Sequence, residues 1–339
     1  MFKFHKLKVD KIKQITDESV EIFFEVPQNL KSNFLFNAGQ YITISTIINQ
    51  EEVRRSYSLC SCDNSNILSI GVKRIENGLM SSYLTKDLKV GDFLNVMQPN
   101  GKFCLNDEKN VVAICAGSGI TPILSMLKSN DRNFTLIYGN KSQSSTMFLE
   151  EINKMNITTY FTYTRENIDG CYNSRIDNNL LKNILSKQNY LNADGYFICG
   201  PGDMIELVEE FLLNNGVDKS KIHFEKFSSN SKNKAQEIVS ETDDQIISNV
   251  TVIMDGDEFD YQLAANGESI LDSAMSVGAD VPYSCKGGVC CTCKAKVMEG
   301  KAVMTENFSL SEEEVEEGFI LTCMAHPVSE KIVVDFDEM

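Results

Sequence analysis

The sequence predicts a multidomain protein: an antiparallel β-barrel, then an α/β domain built on a parallel sheet, then a small α+β domain carrying a loop of cysteines. Three observations predict it. Residues 1 to about 105 hold short alternating or apolar runs between turn-rich breaks, and from Asn110 the rhythm becomes apolar strand then amphipathic helix. After a polar stretch, the last ninety or so residues begin again with a hairpin pattern. A chain of 339 residues also exceeds one ordinary core, at roughly 100 to 200 residues per domain.

The elements follow in order. The N-terminal "MFKFHKLKVDKIKQ" alternates apolar and basic residues, and "SVEIFFEV", "QYITIST", "RSYSLCS" and "ILSIGVKRI" supply further strands of a barrel or sandwich. Next, "VVAIC" precedes "TPILSMLKS", "FTLIYG" precedes "TMFLEEINKM", and "GYFIC" precedes "DMIELVEEFLLNNG", the βαβ pattern of a parallel sheet covered on both faces. The apolar-alternating "KIHFEKF" closes this part. Ser228–Gln245, "SSNSKNKAQEIVSETDDQ", has few large apolar residues and reads as a linker. Beyond it come a hairpin "NVTVIMDGDEFDYQL" turning near Asp255-Gly256, a short helix "SILDSAMSVG", the cysteine loop, and strands "CKAKVME" and "KIVVDF". The expected boundaries are 1–105, 106–227, a linker over 228–247, and 248–339.

Composition fits a globular protein, with 42% hydrophobic and 24% charged residues and six prolines. The N-terminus lacks the unbroken apolar core of a signal peptide, and no run reaches the ~18 apolar residues of a membrane span, so a cytoplasmic protein is expected. In that compartment eleven cysteines do not form a disulfide framework, and clustered ones suggest a metal. The net charge of −16 argues against a nucleic-acid partner. Eighteen acids and five bases from Ser248 to Met339 contribute −13 of it, leaving −3 for the first 247 residues. That acidity is either solubilising surface or a docking face for a basic partner.

"VPYSCKGGVCCTCKAKV" places four cysteines within nine residues. Leaving Cys291 aside, the spacing is Cys285-x4-Cys290-x2-Cys293, with 29 residues between Cys293 and Cys323. Four thiolates hold either a [2Fe-2S] cluster or a tetrahedral zinc, so ligand count separates nothing. Spacing does: structural zinc uses two C-x2-4-C knuckles, whereas here three cysteines share one loop and the fourth stands alone. Gly287 and Gly288 let the backbone wrap closely and aim N–H groups at sulfur. On these residues the segment from about 248 to 339 resembles plant-type [2Fe-2S] ferredoxins, which implies a β-grasp-like α+β fold with Cys285, Cys290, Cys293 and Cys323 as ligands. Cys291 has no counterpart among the four and reads as a small apolar residue.

Such a cluster takes one electron at a time, while the usual reductant delivers a hydride, so a flavin between them is expected. Arg55-x-Tyr57-Ser58, followed by "GVKRIENGLMSSYL", resembles the ferredoxin-NADP reductase superfamily over residues 1–227. The resemblance implies FAD. Arg55 would meet its pyrophosphate, Tyr57 would stack on the isoalloxazine, and Ser58 would hydrogen-bond near the reacting nitrogen. Val72 and Lys73 would lie along the flavin, and Met80, Ser81 and Ser82 would offer backbone N–H groups and a hydroxyl at a helix N-terminus. Phe227 either shields the flavin or packs in a core.

"ICAGSGITPILSM" is a strand, a glycine turn and a helix start, with Gly117-x-Gly119 alone a weak dinucleotide signal. The family carries G-x-G-I-T-P here, which implies Thr121 near the nicotinamide and Pro122 at the helix start. "YFICGPGDM" supplies Cys199, Gly200, Pro201 and Met204, with Cys199 implied beside the hydride-transfer position. Thr164 and Arg165 stand where NADPH-specific relatives often have Ser-Arg, and Arg175 lies ten residues on; a 2′-phosphate needs such groups, so NADPH is favoured over NADH, with Glu166 a complication.

The implied activity is an FAD- and [2Fe-2S]-dependent NAD(P)H oxidoreductase with an external protein acceptor. With only His5, His223 and His326 and no E-x-x-H motif, the chain does not readily house a di-iron or Rieske centre. The domain order resembles the reductase components of multi-component oxygenases, foremost the phenylacetyl-CoA epoxidase type that feeds a di-iron monooxygenase in phenylacetate catabolism. Reductases for Rieske oxygenases or hybrid-cluster proteins, and a nicotinamide-binding redox sensor, are the alternatives.

Overall fold

The computed structural model describes residues 3–129, 132–186, 190–227 and 247–338. The segment read as a linker, Ser228–Gln245, lies outside these. The chain divides into two compact units, one spanning Phe4–Phe227 and one containing residues 247–338.

The first unit begins with six strands: β1 (Phe4–Thr16), β2 (Ser19–Glu25), β3 (Tyr41–Ile48), β4 (Glu51–Ser58), β5 (Leu68–Lys73) and β6 (Phe93–Met97). They run antiparallel in the order β4-β3-β6-β1-β2-β5. A bridge between Leu59 and Ile70 joins the two edges, so the sheet curls into a barrel. The period-2 pattern decides which face turns in: Leu7 and Val9 are buried while Lys6 and Lys8 are exposed. Ile22, Ile42, Ile44, Ile70 and Val96 complete the inner layer, each with no exposed surface, and full burial of such a side chain contributes about 1.5–3 kcal/mol. Helix α1 (Leu79–Lys86) follows β5.

The same unit continues as β7 (Asn110–Ala116), α2 (Ile120–Lys128), β8 (Asn133–Asn140), α3 (Leu149–Ile152), β9 (Thr158–Tyr163), α4 (Asn178–Leu185), β10 (Gly195–Gly200), α5 (Gly202–Asn214) and β11 (Ile222–Lys226). The five strands are parallel in the order β11-β10-β7-β8-β9. Order reverses between β7 and β10, which opens a crevice at their carboxyl ends, where ligands bind in such sheets. The helix expected over "TMFLEEINKM" shrinks to four residues. Phe148 enters the left-handed region at φ 58° and buries its ring with Met147, so helical geometry starts only at Leu149.

The second unit holds β12 (Ile247–Met254), β13 (Asp257–Ala264), β14 (Lys294–Glu299), β15 (Ala302–Met304), β16 (Phe319–Leu321), β17 (Ala325–Pro327) and β18 (Lys331–Asp335). The main sheet runs β13-β12-β18-β14-β16, with β12 and β18 parallel and the other neighbours antiparallel. Its last strand in sequence is therefore central in space. The β12–β13 hairpin turns on Asp255 and Gly256, both with positive φ as a two-residue I′ turn demands, and the Asp337 carboxylate accepts both their N–H groups at 3.0 and 2.9 Å. Helix Ile270–Ser276, capped by the Ser269 hydroxyl, buries Ile270, Leu271 and Ala274 against Val250, Val252, Ile332 and Val334. This mixed sheet with one packed helix is the α+β arrangement expected.

Candidate functional site

In the second unit Cys285, Cys290 and Cys293 lie on the loop before β14, and Cys323 lies in the turn between β16 and β17. Thr322 ties the two loops, its N–H and hydroxyl both donating to the Cys293 carbonyl at 3.1 and 2.9 Å. Lys286 and Gly288 take positive φ of 48° and 70°, which bends the loop back on itself. A Cβ on Gly288 would sit 3.1 Å from the Glu306 carbonyl oxygen, so glycine is required there.

The Cys290 and Cys285 sulfurs are 3.1 Å apart, and Cys323 hydrogen-bonds both Cys285 and Cys293. Hydrogen bonds from Cys290 and Cys323 pull the Cys285 thiol well down, helped by the amides of Gly287, 3.4 Å from its sulfur, and Val289. The thiols touch one another rather than surround a point; among the described residues no three Cys, His or acidic side chains are set for a single ion. Donor chemistry makes the fit with an iron-sulfur cluster: four nearly buried thiols on two tied loops, amides aimed at sulfur, and one thiol already favouring the anion. Cys291 turns away, its thiol directed to the Ser309 carbonyl in the domain core.

In the first unit, Arg55 and Tyr57 share one face of β4 while Ser58 points to the other. Arg55 is exposed and donates to the Arg54 carbonyl at 2.6 Å. Burial pushes the Tyr57 phenol up, with Arg55 acting in the opposite sense. Val72 is buried at the end of β5 and Lys73 half-buried. The start of α1 departs from expectation at Ser82, whose N–H is taken by the Gly78 carbonyl at 3.0 Å. The Ser81 hydroxyl is also engaged, accepting from Ile75 N–H and donating to Gly78 O. The first-turn amides without intrahelical acceptors are those of Leu79, Met80 and Ser81. An exposed guanidinium, a half-buried phenol and a free helix N-terminus fit a dinucleotide flavin.

At the sheet crevice, Gly117 has φ 56°, and Gly119 lies so close to β10 that a Cβ would meet the Cys199 carbonyl oxygen at 2.1 Å. The Thr121 hydroxyl donates to Ser118 O at 3.0 Å, and Pro122 is the third residue of α2, not its first, a position its missing N–H still tolerates. Thr121 also packs on Gly71 of the barrel, where a Cβ would lie 2.6 Å from its methyl. On the far side, Gly200 is held against Met204, the exposed Pro201 leads into α5, and Cys199 has no exposed surface. Thr164 and Arg165 are exposed beyond β9, their N–H groups bonded to the Asn140 and Lys141 carbonyls. Glu166 turns its carboxylate to the Gln143 N–H at 2.8 Å. Arg175 is exposed, 4.0 Å from Asp203, and Phe227 is 42% exposed.

Sequence reasoning missed Glu225. It pairs in register with Cys199, and its carboxylate accepts from the Ser58 hydroxyl at 3.2 Å, so residues from the barrel and the sheet meet there. The residue is partly exposed, yet its carboxyl is enclosed by protein and burial raises its pKa to about 8 against the lowering hydrogen bond from Ser58. Burial first, then the Glu225 charge, pushes the Cys199 thiol well up, and the same two causes lift Cys104 to about 12. The available signal was a lone acid at the end of the apolar "KIHFEKF", next to the switch point.

A flavin-type barrel joined to a nicotinamide-type sheet, with a four-cysteine domain beyond, defines an electron-transfer flavoprotein. Three family profiles match: an oxidoreductase FAD-binding domain over 6–104, an oxidoreductase NAD-binding domain over 113–210, and a 2Fe-2S iron-sulfur cluster binding domain over 252–328. The chain is 37% identical to one of the subunits of 1,2-phenylacetyl-CoA epoxidase of Escherichia coli, covering 99% of both. It is 30% identical to the ferredoxin reductase component of 3-ketosteroid-9-alpha-monooxygenase of Rhodococcus rhodochrous, over 97% of this chain and 96% of that one. Phthalate dioxygenase reductase shares the fold at 24% identity with a TM-score of 0.64, over 98% of both chains. The chain belongs to the ferredoxin-NADP reductase superfamily, in the family whose members carry a C-terminal plant-type [2Fe-2S] ferredoxin domain. It is an oxidoreductase with FAD-, nicotinamide- and 2Fe-2S-binding domains, a reductase component of the kind that serves oxygenases. No described helix is long and apolar enough to cross a membrane.

Proposed function

We propose that this chain is the NADPH-dependent reductase of a phenylacetyl-CoA epoxidase type di-iron monooxygenase and works in the cytoplasm. Its parts are an FAD domain over 1–105, a nicotinamide domain over 106–227, a linker over 228–247 and a ferredoxin domain over 248–339. Arg55, Tyr57, Ser58, Val72, Lys73, Met80 and Ser81, the Ser82 hydroxyl and Phe227 hold FAD. Gly117, Gly119, Thr121, Pro122, Cys199, Gly200, Pro201 and Met204 seat the nicotinamide, and Thr164, Arg165 and Arg175 the 2′-phosphate. Cys285, Cys290, Cys293 and Cys323 hold the cluster. Bound FAD supplies the conversion of a hydride into single electrons. The protein's own groups orient and insulate: the Gly119–Cys199 contact fixes the crevice floor, buried Cys199 excludes water, and the Glu225 carboxyl holds its proton up to about pH 8 while its Oε2 accepts from the Ser58 hydroxyl.

The full-length identity to a phenylacetyl-CoA epoxidase component carries the choice of partner. Engagement of Glu166 by Gln143 supports NADPH, since an NADH site places such an acid on the ribose. The excess of acid over base in the ferredoxin domain suits a basic docking face on the oxygenase. In the test, Cys290→Ser loses cytochrome c reduction while ferricyanide reduction by the flavin persists, and wild-type cytochrome c reduction slows as salt rises. Loss of both activities in a folded Cys290→Ser protein refutes the relay order. Relatives named as reductases of a glycine betaine monooxygenase and as NADH oxidoreductase HCR favour a second reading, another oxygenase or acceptor. Reconstitution with the purified oxygenase components of a phenylacetyl-CoA epoxidase separates the two.

A further inference from the structure

Helix α2 lies against the barrel, and the contact is polar where a helix ordinarily buries an apolar stripe. Thr121, Ser125 and Lys128 recur at i, i+4 and i+7, so they share one face. Thr121 packs its methyl on Gly71. One turn on, Ser125 has no exposed surface and its hydroxyl donates to the Ser61 carbonyl at 2.7 Å. A further turn on, the Lys128 ammonium donates to the Cys60 carbonyl at 2.9 Å and pairs with Glu151 at 3.0 Å, its side chain only 17% exposed. At the end of the helix the Ser129 hydroxyl accepts from the Asp63 N–H at 3.3 Å.

These barrel partners follow directly on β4. Cys60 and Ser61 stand two and three residues beyond Ser58, on the strand that carries Arg55 and Tyr57. Regular pairing lapses there: the Ser61 hydroxyl takes the Ser69 N–H at 3.1 Å, and the Cys60 and Ser61 carbonyls turn to α2. A buried carbonyl without a donor is unfavourable, so the helix supplies what the sheet does not. Phe148 closes the junction. Its ring meets Gly71 beside the Thr121 methyl, and the Lys128 ammonium lies 5.8 Å from the ring centre. A bulky residue at φ 58° is strained backbone held in place by its surroundings, and such strain gathers where geometry serves function.

We propose that Ser125 and Lys128 are positioning residues for hydride delivery, fixing α2 to the flavin strand and so setting the distance between the nicotinamide seat at Thr121 and the flavin face at Tyr57 and Ser58. They act through the helix, because they stand about 6 and 10 Å along it from Thr121. Transfer slows on the order of 100-fold per ångström of misplacement, so a slip of about half an ångström is worth about ten-fold. The assignment rests on the flavin and nicotinamide reading above and extends it to residues outside the crevice.

Rapid mixing of the FAD-loaded full chain with NADPH tests it, with flavin bleaching followed as donor concentration rises. Ser125→Ala and Lys128→Met are expected to slow flavin reduction at saturating donor about ten-fold each, while the half-saturating concentration moves by less than about two-fold. Lys128→Arg restores the rate, because it keeps both the donated hydrogen bond and the charge. When the dithionite-reduced proteins are titrated with NADP⁺, the long-wavelength charge-transfer absorbance of stacked nicotinamide and flavin is weaker in Ser125→Ala and Lys128→Met than in wild type. Val112→Ala, in the core on the other face of the sheet, lowers stability and leaves both readouts unchanged. Lys128 carries the test alone where Ser125→Ala does not retain FAD. Wild-type reduction rates and charge-transfer absorbance in Lys128→Met, or an equal loss in Lys128→Arg or Val112→Ala, overturn this inference alone. A wild-type flavin that neither NADPH nor NADH reduces removes the nicotinamide reading, and this inference with it.

Discussion

Replacing Glu225 with Gln removes a carboxyl whose pKa burial raises from 4.5 to about 8. The folded state therefore holds this proton more tightly than the unfolded chain does. Between pH 4.5 and 8 the native protein binds more protons than the unfolded one, so stability falls as pH rises through that window. The contribution is fully present below 4.5 and gone above about 8. At about 1.4 kcal/mol per pH unit, the span amounts to about 4–5 kcal/mol. Denaturant unfolding of the full-length protein at intervals from pH 4.5 to 9, read by flavin fluorescence, measures it. Gln copies the neutral form, so the variant's advantage over wild type grows by about 1.4 kcal/mol per unit up to about pH 8 and then levels off. Oxidation of the donor by wild type is expected to fall through the same midpoint, because hydride delivery adds negative charge beside the ionised carboxyl. Parallel stability curves for the two proteins would refute the reasoning.

Ser58→Ala removes the hydrogen bond that lowers the Glu225 pKa, so the midpoint of the donor-oxidation profile moves up by about one pH unit. Gly119→Ala drives a methyl into the Cys199 carbonyl; it costs about 1–3 kcal/mol and raises donor KM, while dithionite still reduces the flavin. Gly288→Ala strains a left-handed residue and crowds Glu306, lowering iron and acid-labile sulfide content while flavin absorbance stays at the wild-type level.

Periodicity made the barrel and the parallel sheet readable, because burial alternates along β1 and apolar strands alternate with helices after Asn110. It failed where burial is partial. Strand β9, "TTYFTY", lies at the sheet edge with four of six residues incompletely buried, and α4 mixes its buried leucines with asparagines, so neither stands out. Cysteine spacing singled out four thiols that the fold brings together from one loop and one distant turn. Glu225 stayed hidden because its meaning arises from registry with Cys199 and from Ser58, 167 positions away. The engaged Ser82 amide followed from where the helix begins, one residue after Gly78, which local composition does not specify.

Because β18 inserts between β12 and β14, the ferredoxin sheet has no middle until Lys331–Asp335 leave the ribosome. All four thiols precede that strand in the chain, Cys323 by only eight residues, so the cysteine loops close on a sheet whose middle strand is made after them. A nonsense codon just upstream of Lys331 would therefore release a competent flavin dehydrogenase with nowhere to send its electrons but oxygen.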